Sequence, residues 1–214
     1  MSDAALTTPP AAEDFLITSQ EALQAQYPAP RELVLKKVAD RVDERTAAFI
    51  AASPFCLLST AGARGPHCTP RGDAPGFVSV LDERTLAIPD RRGNNRIDAL
   101  RDIIDNPALA LLFLVPGAGE TLRIGGLGRI SADPALRERY AVQGQVPPTV
   151  LLIEVREVFM QCQRAVLRAR LWGGRERPPE APTGGQLLAA HTGGLVDAEA
   201  YDRESAPQVG AILY

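Results

Sequence analysis

Short apolar runs alternate with turn residues from Phe55 to Cys162, and this spacing restricts the fold more than any other feature of the sequence. The runs predict strands at residues 55–60, 67–71, 77–81, 85–88, 108–115, 120–131 and 149–162. Most of these strands follow one another in hairpin-like succession. The pattern therefore predicts a mostly β fold with peripheral helices, an antiparallel barrel rather than a parallel βαβ sheet. Gly125, Gly126 and Gly128 inside one run predict a bulge or a close backbone approach.

Helical spacing of apolar residues predicts helices around these strands. One amphipathic helix is expected over residues 31–52, ended by Ser53-Pro54. A second is expected to begin at an N-cap formed by Asn94 or Asn95 and to stop at Asn106-Pro107. Shorter helices are predicted near residues 17–26, 133–142, 163–172 and 186–191.

Composition divides the chain into three segments. Residues 1–30 carry four prolines and no basic residue, which predicts a loosely ordered N-terminal extension. Residues 31–172 form the predicted barrel domain. Residues 173–214 contain seven glycines and four prolines and end in apolar residues 211–214. This last segment is expected to be a C-terminal extension that packs on the barrel or on a dimer partner.

Charge and hydropathy exclude several classes of function. The net charge of −3 argues against nucleic-acid binding, and the longest apolar run, residues 108–115, is too short to span a membrane. Acidic residues stand at the start of the chain where a signal peptide needs basic ones. Three widely spaced cysteines without a CxxC pair predict no zinc site and favour a reduced, cytoplasmic location. Cys56 is predicted to be a core residue, and both His67 and His191 are predicted to be structural.

Arginine accounts for 21 of the 23 basic residues, an excess that a GC-rich genome explains, so only its clustering is informative. Arg91, Arg92 and Arg96 fall within six residues, just before a predicted helix N-terminus. Such a helix end offers unpaired N–H groups and a partial positive charge, which predicts a phosphate site. The alternative is a solvated turn that binds nothing. Neither GxGxxG nor GxxxxGK[ST] occurs, so Rossmann and P-loop sites lose support.

The ordered motifs TPRGD, PGFV, TLAIPDRRGNNRIDAL, LALLFLVPG and ETLRIGG resemble the pyridoxamine 5′-phosphate oxidase-like, FMN-binding split-barrel family. The resemblance covers roughly residues 35–172, and the C-terminal tail has a further likeness to a bacterial subgroup distinct from the true oxidase. It implies a six-stranded split β-barrel and a homodimer with FMN at the subunit interface. It also implies an FMN-dependent oxidoreductase that acts with a small-molecule substrate or reductant.

The resemblance also implies which residues contact FMN. They are Arg71, Gly72, Asp73, Pro89, Asp90, Arg91, Asn94, Asn95, Arg96, Thr121, Arg123 and Trp172. Arg71 opens an FMN-binding strand, and Gly72 and Asp73 follow it. Pro89, Asp90 and Arg91 end the strand beside the flavin ring. Asn94, Asn95 and Arg96 face the phosphate. Thr121 and Arg123 match a strand with a polar flavin contact, and Trp172 matches a tryptophan near the end of the true oxidases.

The substrate side departs from the true oxidase. Gly76 and Phe77 stand where that enzyme has a lysine, and its C-terminal Arg-x-His motif is absent. Oxidation of pyridoxamine phosphate is therefore not expected. Two alternatives to an enzyme stay open: a non-catalytic flavin- or haem-binding module, and a structural dimer whose arginine turn forms only salt bridges between subunits.

Three of the implied contacts have a purely structural alternative, which for Trp172 is a place in the core or at an interface. Asp73 is alternatively a helix cap or a salt-bridge partner of Arg71. Arg123 is alternatively a salt-bridge partner of Glu120 or Asp90.

Overall fold

The structure, a computed structural model, describes residues 15–174 and 176–211. The chain divides into two compact units, and the division falls after Lys37. The described part of the first unit contains two short helices, α1 (Gln20–Gln24) and α2 (Glu32–Lys36). The hydroxyl of Ser19 accepts a hydrogen bond from the amide of Ala22 and caps α1, which lies inside the predicted range 17–26.

The second unit is built on one antiparallel sheet. Its strands are β1 (Val38–Ala39), β2 (Phe55–Gly62), β3 (Gly65–Gly72), β4 (Ser79–Asp82), β5 (Thr85–Pro89), β6 (Ala108–Leu114), β7 (Thr121–Ser131) and β8 (Val150–Gln161). Its helices are α3 (Glu44–Ala52), α4 (Asp98–Asp105), α5 (Pro134–Glu138), α6 (Arg164–Ala169), α7 (Gly184–His191) and α8 (Ala198–Ala211).

The strand order is β3-β2-β6-β7-β8-β5-β4, and β1 pairs with β8. The edge strands β3 and β4 do not pair with each other in the described residues, so the barrel stays open. The predicted mostly β fold with peripheral helices, a split barrel, is confirmed. The sheet has eight strands and not six, because the two-residue β1 and the four-residue β4 add to the longer strands.

Alternation along the strands directs one side of the sheet into the core. In β2 and β6 the inward residues are fully buried, as with Leu58, Leu111 and Phe113. Ile50 of α3 and Ile103 of α4 pack into the same core. The helices therefore cover the inner side of the sheet.

The single helix predicted over residues 31–52 is wrong, because the structure replaces it with α2, β1 and α3. The side chain of Asp43 accepts a hydrogen bond from the amide of Thr46 at 2.8 Å and starts α3 there. The residues of β1 pair with Val158 and Phe159 of β8. Strand pairing and a local N-cap therefore outweigh the helical spacing of the apolar residues.

The C-terminal segment forms a pair of helices. Thr183 and Gln186 form a capping box that starts α7, two residues before the predicted start. The carboxylate of Asp202 in α8 accepts a hydrogen bond from the amide of Gly185 at 2.7 Å. Helix α8 was not predicted. Residues 212–214 of the predicted apolar end lie outside the described residues, and the packing of this segment on the barrel or on a partner stays a prediction.

The three cysteines differ in accessibility, which predicts their reactivity. Cys56 is fully buried, and burial raises the pKa of its thiol to about 12, whereas Cys68 and Cys162 are exposed. Because the thiolate is the reactive form, we expect two thiols per chain to react rapidly with a disulfide reagent in the native protein. The third should react only after denaturation. Rapid reaction of all three in the folded protein would contradict the burial of Cys56.

Within the described residues, no helix combines the length and the apolar character that crossing a membrane requires.

Candidate functional site

A cavity of about 440 Å³ opens where β5 ends, between β3 and the turn that leads into α4. Eight of the twelve predicted FMN contacts line it: Arg71, Gly72, Pro89, Asp90, Arg91, Asn94, Asn95 and Arg96. The eight residues come from two segments that are distant in sequence, the end of β3 and the end of β5 with the turn after it, and the structure brings these two segments together. Phe77 and Ile97, which the sequence analysis did not assign to the cofactor, add apolar surface to the wall.

Arg71 lies at the end of β3, on the wall of the cavity. Its Nη1 group donates to the hydroxyl of Thr69 at 3.0 Å and to the carbonyl of Pro70 at 2.9 Å. These bonds come from its own strand, so the guanidinium is oriented by residues that do not neutralise it.

The turn over residues 93–97 holds two residues in the left-handed region. Asn95 has φ of 59° and Ile97 has φ of 50°. Asparagine tolerates this conformation, whereas a β-branched residue is strained there by about 1–3 kcal/mol. Left-handed residues among ordinary ones turn successive N–H groups toward a common concavity, which suits an anion. Strain at the wall of a cavity is typical of binding sites.

The predicted N-cap of α4 is wrong. The helix begins at Asp98, its N-cap is Ile97, and no side chain caps it. The side-chain Oδ1 atom of Asn94 instead accepts a hydrogen bond from the backbone amide of Arg96 at 3.0 Å within the turn. The two asparagines therefore shape the turn that precedes the helix. The predicted stop at Asn106 is confirmed.

Arg96 points its guanidinium along the start of α4. Its Nε lies 2.8 Å from a carboxylate oxygen of Asp98, and Arg64 contacts the other oxygen at 3.0 Å. The hydrogen bond from Arg96, followed by that from Arg64, holds the pKa of Asp98 below its usual range. The Arg96 side chain is 72% exposed, so this ion pair orients the arginine and contributes little stability.

Arg91 and Asp73 form a largely buried ion pair beside the cavity. The Arg91 Nε group donates to Asp73 at 2.7 Å, and its Nη1 group donates to the carbonyl of Tyr140 at 2.6 Å. Asp73 therefore forms a salt bridge, as one alternative expected, and the partner that the structure shows is Arg91. On the other side of this pair lies a second cavity of about 320 Å³, which Phe77, Arg91 and Tyr140 also line.

Asp90 is the first residue after β5 and is half-buried in the wall of the larger cavity. Burial raises the pKa of its carboxyl, and the charge of Arg71 opposes that effect. A desolvated carboxyl group in a cavity is a common sign of a functional role.

The other three predicted contacts lie away from the cavity in the single chain. Arg123 pairs with Glu157 at 2.5 Å and lies 5.0 Å above the ring of Phe159, so the predicted pairing with Glu120 or Asp90 is wrong. Trp172 donates from Nε1 to the carbonyl of Ala118 at 2.6 Å. Thr121 begins β7 and pairs with Leu114 and Gln161, the last residues of β6 and β8.

One polar cluster near the cavity escaped the sequence analysis. A carboxylate oxygen of Asp102 accepts from the Thr60 hydroxyl at 2.7 Å and lies 2.7 Å from Nδ1 of His67. The Asp102 side chain is 1% exposed. The available signal was an acidic residue on the apolar face of α4, between Ala99 and Ile103. The structural role predicted for His67 agrees with this contact.

No group of three or more histidine, cysteine or acidic side chains in the described part of the chain could hold a metal ion. The features of this site are an arginine- and asparagine-rich turn, an apolar wall and two carboxyl groups, of which that of Asp98 is paired with arginines.

Comparison with known proteins places the chain in a family. Among solved structures it is similar to HupZ of Group A Streptococcus, with 20% identity, a TM-score of 0.46, and coverage of 56% of this chain and 94% of that chain. A Lactobacillus delbrueckii protein provisionally named a pyridoxamine 5′-phosphate oxidase is 19% identical with a TM-score of 0.46, and the match covers 56% of this chain and 95% of that chain. General stress protein 26 of Bacillus anthracis is 17% identical with a TM-score of 0.38, and the match covers 53% of this chain and 88% of that chain.

No curated protein matches the chain. The family model described as "Pyridoxamine 5′-phosphate oxidase" matches residues 42–162, which include β2 to β8 and every residue that lines the larger cavity. The match extends over more than half of the chain and ends where β8 ends. This chain therefore belongs to the pyridoxamine 5′-phosphate oxidase family.

Proposed function

We propose that the protein binds FMN in the 440 Å³ cavity and acts as an FMN-dependent oxidoreductase on a small molecule. The observation that carries this proposal is the convergence of Arg71, Arg92 and Arg96 with the asparagine turn on one cavity. Membership of the family supports it further.

The turn provides the chemistry that a phosphate group needs. Arginine binds phosphate through charge-assisted hydrogen bonds, and the N–H groups of a left-handed turn add further donors. Asp98 holds Arg96 in place before any ligand arrives. The FMN phosphate would lie against Arg96, Asn94 and Asn95.

The rest of the cavity suits a flat ring. Phe77, Pro89 and Ile97 supply apolar surface, and Asp90 supplies a polar group among them. When bound, FMN supplies the redox chemistry, and the protein binds and orients it and limits its contact with water. The 320 Å³ cavity shares Phe77 and Arg91 with this site, so a substrate or reductant would enter there.

The outer face of the sheet supports the second part of the proposal, a homodimer. Strand register places Leu57, Leu112, Arg123 and Phe159 in one row across β2, β6, β7 and β8. Phe55, 38% exposed, begins the neighbouring row, which also contains Thr121. An apolar face of this kind is suited to a second copy of the chain. Thr121 and Arg123 would then reach the FMN bound by the partner.

The decisive experiment is spectroscopy of the purified protein followed by one substitution. We expect a yellow protein with about one FMN per chain. Arg96→Ala should weaken FMN binding tenfold or more, because it removes a charge-assisted contact with the phosphate. Arg101→Ala is the control, since Arg101 is an exposed residue of α4 outside the cavity.

The alternatives give different results. A colourless protein that does not bind added FMN would refute the proposal. FMN or haem binding without turnover with NADH or NADPH would favour the non-catalytic module. Loss of the dimer in Arg96→Ala with FMN retained would favour the structural dimer.

A further inference from the structure

Asp90 lines the larger cavity with a half-buried carboxyl group. Its backbone amide donates to the carbonyl of Thr149 at 3.0 Å, which fixes the residue between the ends of β5 and β8. Within the described residues, its carboxylate accepts no hydrogen bond and forms no ion pair. The hydroxyl of Thr149 is also buried without a partner in these residues.

Three nearby arginines, Arg71, Arg91 and Arg96, do not pair with Asp90, and each has other contacts. Arg91 bonds to Asp73 and to a carbonyl, and Arg96 bonds to Asp98. Arg71 acts on Asp90 only through its charge, and burial still raises the pKa of the Asp90 carboxyl. The carboxyl group is therefore partly shielded from water and has no hydrogen-bond partner among the described residues, which costs stability.

The same cavity contains an anion-binding turn, so a carboxylate there would repel a ligand that is merely anionic. The repulsion is compensated only if the ligand also brings a hydrogen-bond donor to Asp90. Burial makes such a bond stronger than it would be in water. The cavity is thus suited to a ligand that carries an anionic group and, apart from it, an N–H group.

We propose that Asp90 is the specificity-determining residue of this site and accepts a hydrogen bond from an N–H group on the ring of the ligand. This inference rests on the proposed function, and FMN has the required chemistry, because its ring system contains an imide N–H and its side chain ends in phosphate. Asp90 thereby selects the ring, while Arg96 selects the phosphate.

The test compares riboflavin with 3-methylriboflavin, in which a methyl group replaces the imide hydrogen, on wild-type protein and on Asp90→Ala. In wild-type protein we expect methylation to weaken binding about tenfold, as expected for a lost hydrogen bond to a charged group. In Asp90→Ala the two flavins should bind almost equally. Equal discrimination in both proteins would overturn the proposal, because the methyl group would then act only by its size.

Two further measurements separate the ring from the phosphate. Asp90→Ala should weaken the binding of FMN and of riboflavin by the same factor. Inorganic phosphate should compete with FMN as strongly as in wild-type protein, or more strongly. Arg96→Ala should weaken the binding of FMN and leave the binding of riboflavin unchanged. If Asp90→Ala weakened the binding of FMN but not that of riboflavin, this result would contradict the assignment of Asp90 to the ring.

The stability of the ligand-free protein provides a readout that does not depend on flavin. Asp90→Asn keeps the size of the side chain and removes the charge, so it should raise the Tm by a few degrees. A lower Tm would show that the carboxylate has a structural partner and would overturn the proposal. If wild-type protein binds neither flavin, the proposed function fails, whereas flavin binding without coupling to Asp90 refutes only this inference.

Discussion

Gly126→Ala is expected to destabilise the protein by on the order of 3 kcal/mol or more, or to prevent folding. A Cβ atom at Gly126 would lie 2.3 Å from the carbonyl oxygen of Glu154 and 3.0 Å from the side chain of Ile153. The obstructing atom belongs to the backbone of the neighbouring strand, which cannot move without breaking the pairing of β7 with β8. Urea unfolding measures the effect.

Gly125→Ala is the matched control, one residue earlier in the same strand. There a Cβ atom would lie 3.6 Å from the Cβ atom of Glu157, an ordinary contact. We expect a change in the free energy of unfolding of less than about 1 kcal/mol. The two glycines flank the register shift between β7 and β8, so their difference reports the close approach itself. Equal destabilisation by both substitutions would show that glycine serves only the bulge.

Asp102→Ala is expected to lower the Tm by about 10 °C. It leaves the hydroxyl of Thr60 and the ring of His67 without their common acceptor, and it opens a space under α4. Gly62 shows how closely α4 packs there, since a Cβ atom would lie 2.8 Å from the Cα atom of Asp102. Thermal unfolding by circular dichroism gives the measurement.

Asp105→Ala is the control on the same helix. The Asp105 carboxylate is exposed and has one long contact, 3.4 Å from the amide of Ala63. We expect the Tm of the Asp105→Ala protein to differ little from that of wild-type protein. A similar loss in both variants would point to a general effect on α4 and away from the buried carboxylate.

The Asp102 contribution should depend on pH in one direction. The hydrogen bond from Thr60, and then that from His67, lowers the pKa of the Asp102 carboxyl. A lowered pKa means that the folded protein favours the ionised form, so its stabilisation is present above the unfolded value of about 3.9. It is lost as pH falls through the lower folded value. The difference in Tm between wild-type protein and Asp102→Ala should therefore shrink in acid.

Much of the fold could be predicted because strand length and turn residues are local properties. The runs around β2, β6, β7 and β8 are strongly apolar, and Pro or Gly breaks the chain between several of them. The helix over residues 31–52 failed for the opposite reason. Its apolar spacing was local evidence, whereas β1 forms because β8 offers an edge that is more than 100 residues away in sequence.

The sequence indicated which residues line the candidate site, but it did not indicate which of their side chains form ion pairs with one another. Eight residues of the family motifs line the cavity, because they lie either at the end of β3 or β5 or in the turn that follows β5. Ion pairs were predicted less well. Asp73 bonds to Arg91, and Arg123 bonds to Glu157, because distances between side chains depend on the register of neighbouring strands.

By itself, the sequence determined the mostly β architecture, the family motifs and the cluster of arginines that an anion requires, because these follow from residue type and short-range spacing. Only the tertiary structure decided which arginines pair with a carboxylate, as Arg91 does with Asp73 and Arg96 with Asp98. It also decided that the carboxyl group of Asp90 is half-buried without a partner among the described residues. The carboxylate of Asp102, in contrast, has two partners, Thr60 and His67. Burial and pairing are set by residues distant along the chain, and those contacts exist only once the sheet has formed.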